Sequence, residues 1–67
     1  MKVIINGTEK QLPENIETIE ALLHHLQLQE KKAVVERNGD ILVKEKHENE
    51  PVLDGDTIEI VHFVGGG

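Results

Sequence analysis

The chain has 67 residues, of which thirteen are acidic and seven basic, for a formal charge of -6, and it has no cysteine. A chain this short buries only about 60% of its unfolded surface, enough for a single domain but leaving little for a deep pocket. The lack of cysteine excludes disulfides, thiolate metal sites and a cysteine nucleophile, and the acidic balance disfavours nucleic acid as a partner while favouring a basic protein surface.

The apolar run at the start of the chain is short and stops at Asn6-Gly7, too brief for a signal segment, and no stretch approaches a membrane span. A soluble, cytoplasmic protein is expected. Residues 2–6 read as a strand, Asn6-Gly7 as a two-residue hairpin turn, and 9–12 as the returning strand, which Pro13 ends. Ile19, Leu22, Leu23 and Leu26 follow at i, i+3, i+4 and i+7, the apolar stripe of a helix. Thr18 is placed to cap it, with Glu20 in the positive first turn.

The β-branched run at 33–37 stops at Asn38-Gly39-Asp40, and 41–43 reads as a short strand. Residues 44–50 are almost all polar and are expected to be a solvated loop with room for one turn of helix, closed by Pro51. Asp54-Gly55-Asp56 turns the chain into the longest strand, 57–64. The order predicts an α+β fold of one domain, 1–67: a mixed sheet of four to five strands with one main helix packed on one face. The compact solution is the β-grasp, or ubiquitin-like, arrangement, with the first and last strands side by side at the centre of the sheet.

Val64-Gly65-Gly66-Gly67 then places a free carboxylate on an arm of glycines, with residues 65–67 expected to be poorly ordered when free. Glycine lacks a Cβ and reaches backbone conformations closed to other residues, so such an arm can thread a narrow site. A frayed end is the plain alternative for any glycine-rich terminus. The preceding strand favours the functional reading.

Several segments together carry a resemblance. They are the opening Val-Ile-Ile-Asn-Gly, the Thr-capped helix with Leu22-Leu23, the run Ala33-Val34-Val35-Glu36-Arg37-Asn38-Gly39, Leu53-Asp54-Gly55-Asp56, and Ile58-Glu59-Ile60-Val61 before the terminal glycines. Across essentially its whole length the chain resembles the ThiS family, the sulfur carriers of thiamin biosynthesis. The resemblance implies that a ThiF-like enzyme uses ATP to adenylate the Gly67 carboxylate, and that persulfide sulfur from a donor such as a cysteine desulfurase converts it to a thiocarboxylate. It further implies that thiazole synthase, ThiG, takes that sulfur for the thiazole ring. Gly65 and Gly66 would thread the partner's active site. The carrier itself would bind no cofactor and catalyse nothing, and would be a monomer when free. Two features depart from the family pattern: His47-Glu48 stands where many members have an aromatic residue, which could alter a docking contact, and Gly65 adds a third glycine.

Strand alternation suggests where partners dock. If Ile58 and Ile60 face the helix, Val61 and Phe63 face outward, and Ile4 does so on the first strand, so Ile4, Val61 and Phe63 form the expected partner surface. A register slipped by one residue would reverse every face and bury Phe63, the only aromatic.

Other chemistry has little support. His24 and His25 are adjacent on a helix and cannot share a face, and His47 and His62 lie in unrelated segments, so metal-ligand spacing is lacking. Glu45, Glu48 and Glu50 read as a solvated loop rather than an acid-base pair. No Gly-rich phosphate loop is present, so ATP must be bound elsewhere. The rival readings are a MoaD-like carrier for molybdopterin synthesis, a ubiquitin-like modifier, and a TGS-like interaction module, which the chain length, the acidic charge and the glycine end disfavour.

Overall fold

The computed structural model describes residues 1–29 and 32–63. Strands β1 (Lys2–Ile5) and β2 (Thr8–Gln11) form an antiparallel hairpin. Asn6 and Gly7 turn it at φ 50° and 81°, the paired left-handed conformations of a two-residue turn whose twist matches the strands. Helix α1 (Ile19–His25) follows, then β3 (Ala33–Arg37), β4 (Asp40–Leu42), a single 3-10 turn at Lys44–Lys46, and β5 (Thr57–His62). The sheet order is β2-β1-β5-β3-β4, with β1 and β5 parallel at its centre and the other pairs antiparallel. This is the expected β-grasp arrangement.

Alternation along the strands decides which face α1 covers. Val3 and Ile5 of β1, Val35 of β3, and Ile58 and Ile60 of β5 are buried, and they form one cluster with Ile19, Leu22 and Leu23 of α1. Leu12, Ile16 and Val52 close the cluster from the connecting segments. Full burial of such side chains is worth about 1.5–3 kcal/mol each, so this interface ties α1 to the central strand pair.

The N-terminus of α1 is capped more completely than Thr18 alone implies. The Thr18 Oγ accepts from the Ala21 N–H at 3.1 Å, while the Glu50 carbonyl accepts from Ile19 N–H at 3.0 Å and the His47 carbonyl from Glu20 N–H at 2.9 Å. The first N–H groups of a helix have no partner within it, and here the segment after β4 supplies them. At the other end Gln27 takes φ 62°, the Leu28 N–H donates to the Leu23 carbonyl at 2.8 Å, and the Gln27 N–H donates to His24 O at 3.0 Å. These two bonds make a Schellman stop without the usual glycine. They end the helix at His25, leaving Leu26 of the predicted stripe as its C-cap.

The loop at 44–50 is largely solvated, as expected, with Lys44, Glu45, Lys46, Glu48 and Asn49 exposed. It contains the anticipated helical turn, but His47 is buried at 7% exposure. His47 lines, with Glu20, Leu23 and His24 of α1, the space between the helix and this turn.

Candidate functional site

The candidate site is the run of β5 toward 64–67, and its geometry begins at the opposite end of that strand. Gly55, at φ 87°, permits the tight Asp54-Gly55-Asp56 turn, and the turn is pinned to β1. The Lys2 N–H donates to the Asp54 carboxylate at 2.7 Å, and the Gly55 N–H donates to the Lys2 carbonyl at 2.7 Å. Asp56, 5% exposed, then accepts from four groups: Arg37 Nε at 2.7 Å, Leu53 N–H at 2.8 Å, Asn38 Nδ2 at 3.0 Å and Arg37 Nη2 at 3.3 Å. Glu50 adds a second carboxylate to Arg37 at 3.1 Å.

Burial of Asp56 opposes ionisation, but the hydrogen bonds from Arg37, Leu53 and Asn38 and the Arg37 charge outweigh it and hold the carboxyl below its ordinary pKa. The same hydrogen bond to Asp56 raises the Arg37 pKa against the opposing effect of burial. Asn38 completes this end, accepting at Oδ1 from the Thr57 N–H at 2.9 Å while its own N–H donates to the Thr57 carbonyl at 2.8 Å.

Farther along, β5 remains paired with β3 up to the Ala33 and His62 pair, and the Phe63 N–H donates to the Lys32 carbonyl at 3.1 Å. On the β1 side, main-chain pairing stops at Ile5 and Ile58. There Asn6 takes over through its side chain, with Oδ1 accepting from the Ile60 N–H at 2.7 Å and Nδ2 donating to the Ile60 carbonyl at 3.0 Å.

The outward face of this end is apolar. Val61 is 58% exposed and pairs across the ladder with Val34, 45% exposed, while Phe63, 59% exposed, stands just beyond β5. Exposed Ile41 and Val43 continue the surface toward β4. Ile58 and Ile60 point inward, so the slipped register that would bury Phe63 is excluded. Ile4 shares the open face but sits opposite Thr57, four residues before Val61 and about 13 Å away along the strand. The apolar surface next to Val61 and Phe63 is therefore built by β3 and β4 rather than by β1.

Sequence alternation had not assigned Val34, Ile41 or Val43 to this surface. A usable signal was present: the Asn38-Gly39 turn sets Arg37 opposite Asp40, which places Ile41 beside Glu36 on the outward face and leads Val43 toward Val34. Gly65, Gly66 and Gly67, and the expectation of their poor order, lie outside the described residues. Among the described residues, no group of three or more His, Cys, Asp or Glu is placed to hold a metal ion. A cleft of about 580 Å³ between α1 and the 3-10 turn is lined by both signs of charge, including Glu20, Glu45, Lys32 and Lys44. It lies across the molecule from the open face of the sheet.

Known proteins share this sequence and fold. The family model described as "ThiS family" matches residues 3–67. The "Sulfur carrier protein ThiS" of Bacillus subtilis is 44% identical over 63 residues, covering 94% of this chain and 96% of that protein. A "Thiazole synthase" of Paramagnetospirillum magneticum is 45% identical over all 67 residues, but the chain spans only 20% of its length. The crystal structure of a thiamine biosynthesis protein (ThiS) from Geobacter metallireducens superposes with a TM-score of 0.83 at 30% identity, covering the whole of both chains. With a family model and a near full-length relative in agreement over almost every residue, this chain belongs to the ThiS family.

Proposed function

We propose that the chain is a sulfur carrier of thiamine biosynthesis that works through the carboxylate of Gly67. The observation that carries this reading is the match to a protein of nearly the same length named as a sulfur carrier, beside a family match that runs to Gly67. The chain acts as a co-substrate of partner enzymes rather than as a catalyst. A carboxylate is a poor electrophile until its oxygen is made part of a leaving group. A ThiF-like enzyme does this: a Gly67 oxygen attacks the α-phosphorus of ATP, pyrophosphate departs, and an acyl adenylate remains.

A protein persulfide, charged by a donor such as a cysteine desulfurase, then attacks the acyl carbon through its terminal sulfur and AMP leaves. A second thiol on the partner cleaves the sulfur–sulfur bond, which releases the thiocarboxylate and leaves a disulfide on the partner. The sulfur is now a tethered nucleophile for thiazole synthase. Two relatives named thiazole synthase each contain a segment like this chain within about a fifth of their length, which supports that enzyme as acceptor over a molybdopterin synthase.

Docking uses the open face at Val34, Val61 and Phe63, with Ile4 at its margin, and Gly65 and Gly66 thread the active site. Tethering raises the effective concentration of the sulfur at the acceptor and confines it to partners that fit the domain. The carrier is a cytoplasmic monomer when free, and among the described residues no helix is long and apolar enough to cross a membrane. The test is intact-protein mass after incubation with ATP, the adenylating enzyme and a persulfide donor. One oxygen exchanged for sulfur at Gly67, abolished by a residue added after Gly67, is the expected result. An unchanged mass with an enzyme active on its own carrier would sink the reading.

A further inference from the structure

We propose that Asn6 is a positioning residue for the carrier reaction, its side-chain amide standing in for a missing strand to hold the end of β5 that leads to residues 64–67. The inference rests on the carrier reading above. β1 must leave β5 after Ile5, because the hairpin turns at Asn6-Gly7, yet β5 runs on to His62. Without a substitute, the N–H and C=O of Ile60, a residue only 5% exposed, would face the vacated side without partners. The Asn6 amide supplies one acceptor and one donor to that residue, at 2.7 and 3.0 Å, in place of the carbonyl and the N–H that two successive peptides of a continuing parallel strand would offer. Its own N–H donates to the Ile58 carbonyl at 2.9 Å.

Ile60 is thus the last residue of β5 hydrogen-bonded toward the β1 side. His62 and Phe63 are held by the β3 side alone. Releasing Ile60 lengthens the segment that a partner must order before Gly67 reaches the reacting centre, and ordering each further backbone residue costs conformational entropy. Misplacement of reacting groups by about 1 Å costs roughly a hundredfold in rate. Docking through the apolar face involves other residues and is unaffected.

The molecule contains its own control. Asn38 occupies the same left-handed conformation, φ 50°, before another glycine, and its side chain also makes two hydrogen bonds, accepting from the Thr57 N–H at the start of β5 and donating to the Asp56 carboxylate just before it. Glycine tolerates positive φ, so Asn6→Gly and Asn38→Gly each delete the amide while sparing the turn. The expected result for Asn6→Gly is faster amide hydrogen exchange at Ile60 and a kcat for thiocarboxylate formation lowered roughly tenfold, with KM for the carrier unchanged. Asn38→Gly is expected to lower thermal stability but leave kcat and Ile60 exchange as in the wild type. Equal kcat losses in both variants, or a normal kcat in Asn6→Gly despite faster Ile60 exchange, would overturn the positioning role. A wild-type carrier that never gains sulfur overturns the carrier reading itself, an outcome separable from either variant result.

Discussion

The two ends of β5 are secured by different physics. At the Thr57 end a buried carboxylate gathers a guanidinium, a side-chain amide and a main-chain N–H, so this end is locked by charge-assisted hydrogen bonds within the domain. At the His62 end there is one amide clamp on Ile60, backbone pairing on a single side, and an outward face of exposed Val34, Val61 and Phe63. The first end satisfies its polar groups internally, while the second leaves apolar area uncovered. That contrast fits the proposed carrier role, in which the root stays folded and a partner covers the exposed apolar face.

The largest expected effect is at the root. Asp56→Ala leaves Arg37 largely buried without its main partner and should cost about 3–5 kcal/mol in urea unfolding, enough to threaten folding in a domain this small. The depressed Asp56 pKa gives the pH dependence its sign. Its contribution is complete above the ordinary carboxyl pKa and is lost as the pH falls through the lower folded value. An acid titration of stability should therefore be flatter in Asp56→Asn than in the wild type. A steep acid limb that survives in that variant would assign it to other carboxylates.

Neighbouring residues on β5 sharpen the comparison next. Ile60→Ala removes a buried side chain and should cost about 2–4 kcal/mol, as measured by thermal or urea unfolding. Thr18→Ala, off the strand, should cost about 1 kcal/mol through the lost cap, less if the His47 and Glu50 carbonyls hold the helix start alone. Val61→Ser should change stability by no more than about 0.5 kcal/mol but weaken binding to the adenylating enzyme in titration calorimetry. Unaltered binding in that variant would move the docking surface elsewhere.

Much of the scaffold was legible in the residue pattern. Asn6-Gly7, Asn38-Gly39 and Asp54-Gly55-Asp56 marked real turns because each requires left-handed backbone that few residues accept. Period-two alternation groups Val3 with Ile5 and Ile58 with Ile60 on one face of each strand, and the structure shows that face to be the inward one. The helix end was harder to read, since Gln27 in a left-handed position carries none of glycine's signal. The burial of His47 is not legible in so polar a segment, because composition does not reveal that the segment's carbonyls cap a helix far away in sequence.

The candidate site divides in the same way. Val61 and Phe63 were placed on the open face from alternation, but their neighbours come from β3 and β4, which only the pairing of Val34 with Val61 brings beside them. Ile4 was grouped with them because parity assigns a face, not a position along it.

The sequence by itself determined the β-grasp order of elements, the alternation of faces along the strands, and the glycine end, since these depend on short-range backbone preference and on a period of two. Tertiary structure alone decided that Asp56 meets Arg37, that His47 is buried, and that the Asn6 amide extends a strand its own main chain has left. Those contacts join residues that are distant in sequence, and they exist only once β1 and β5 lie side by side.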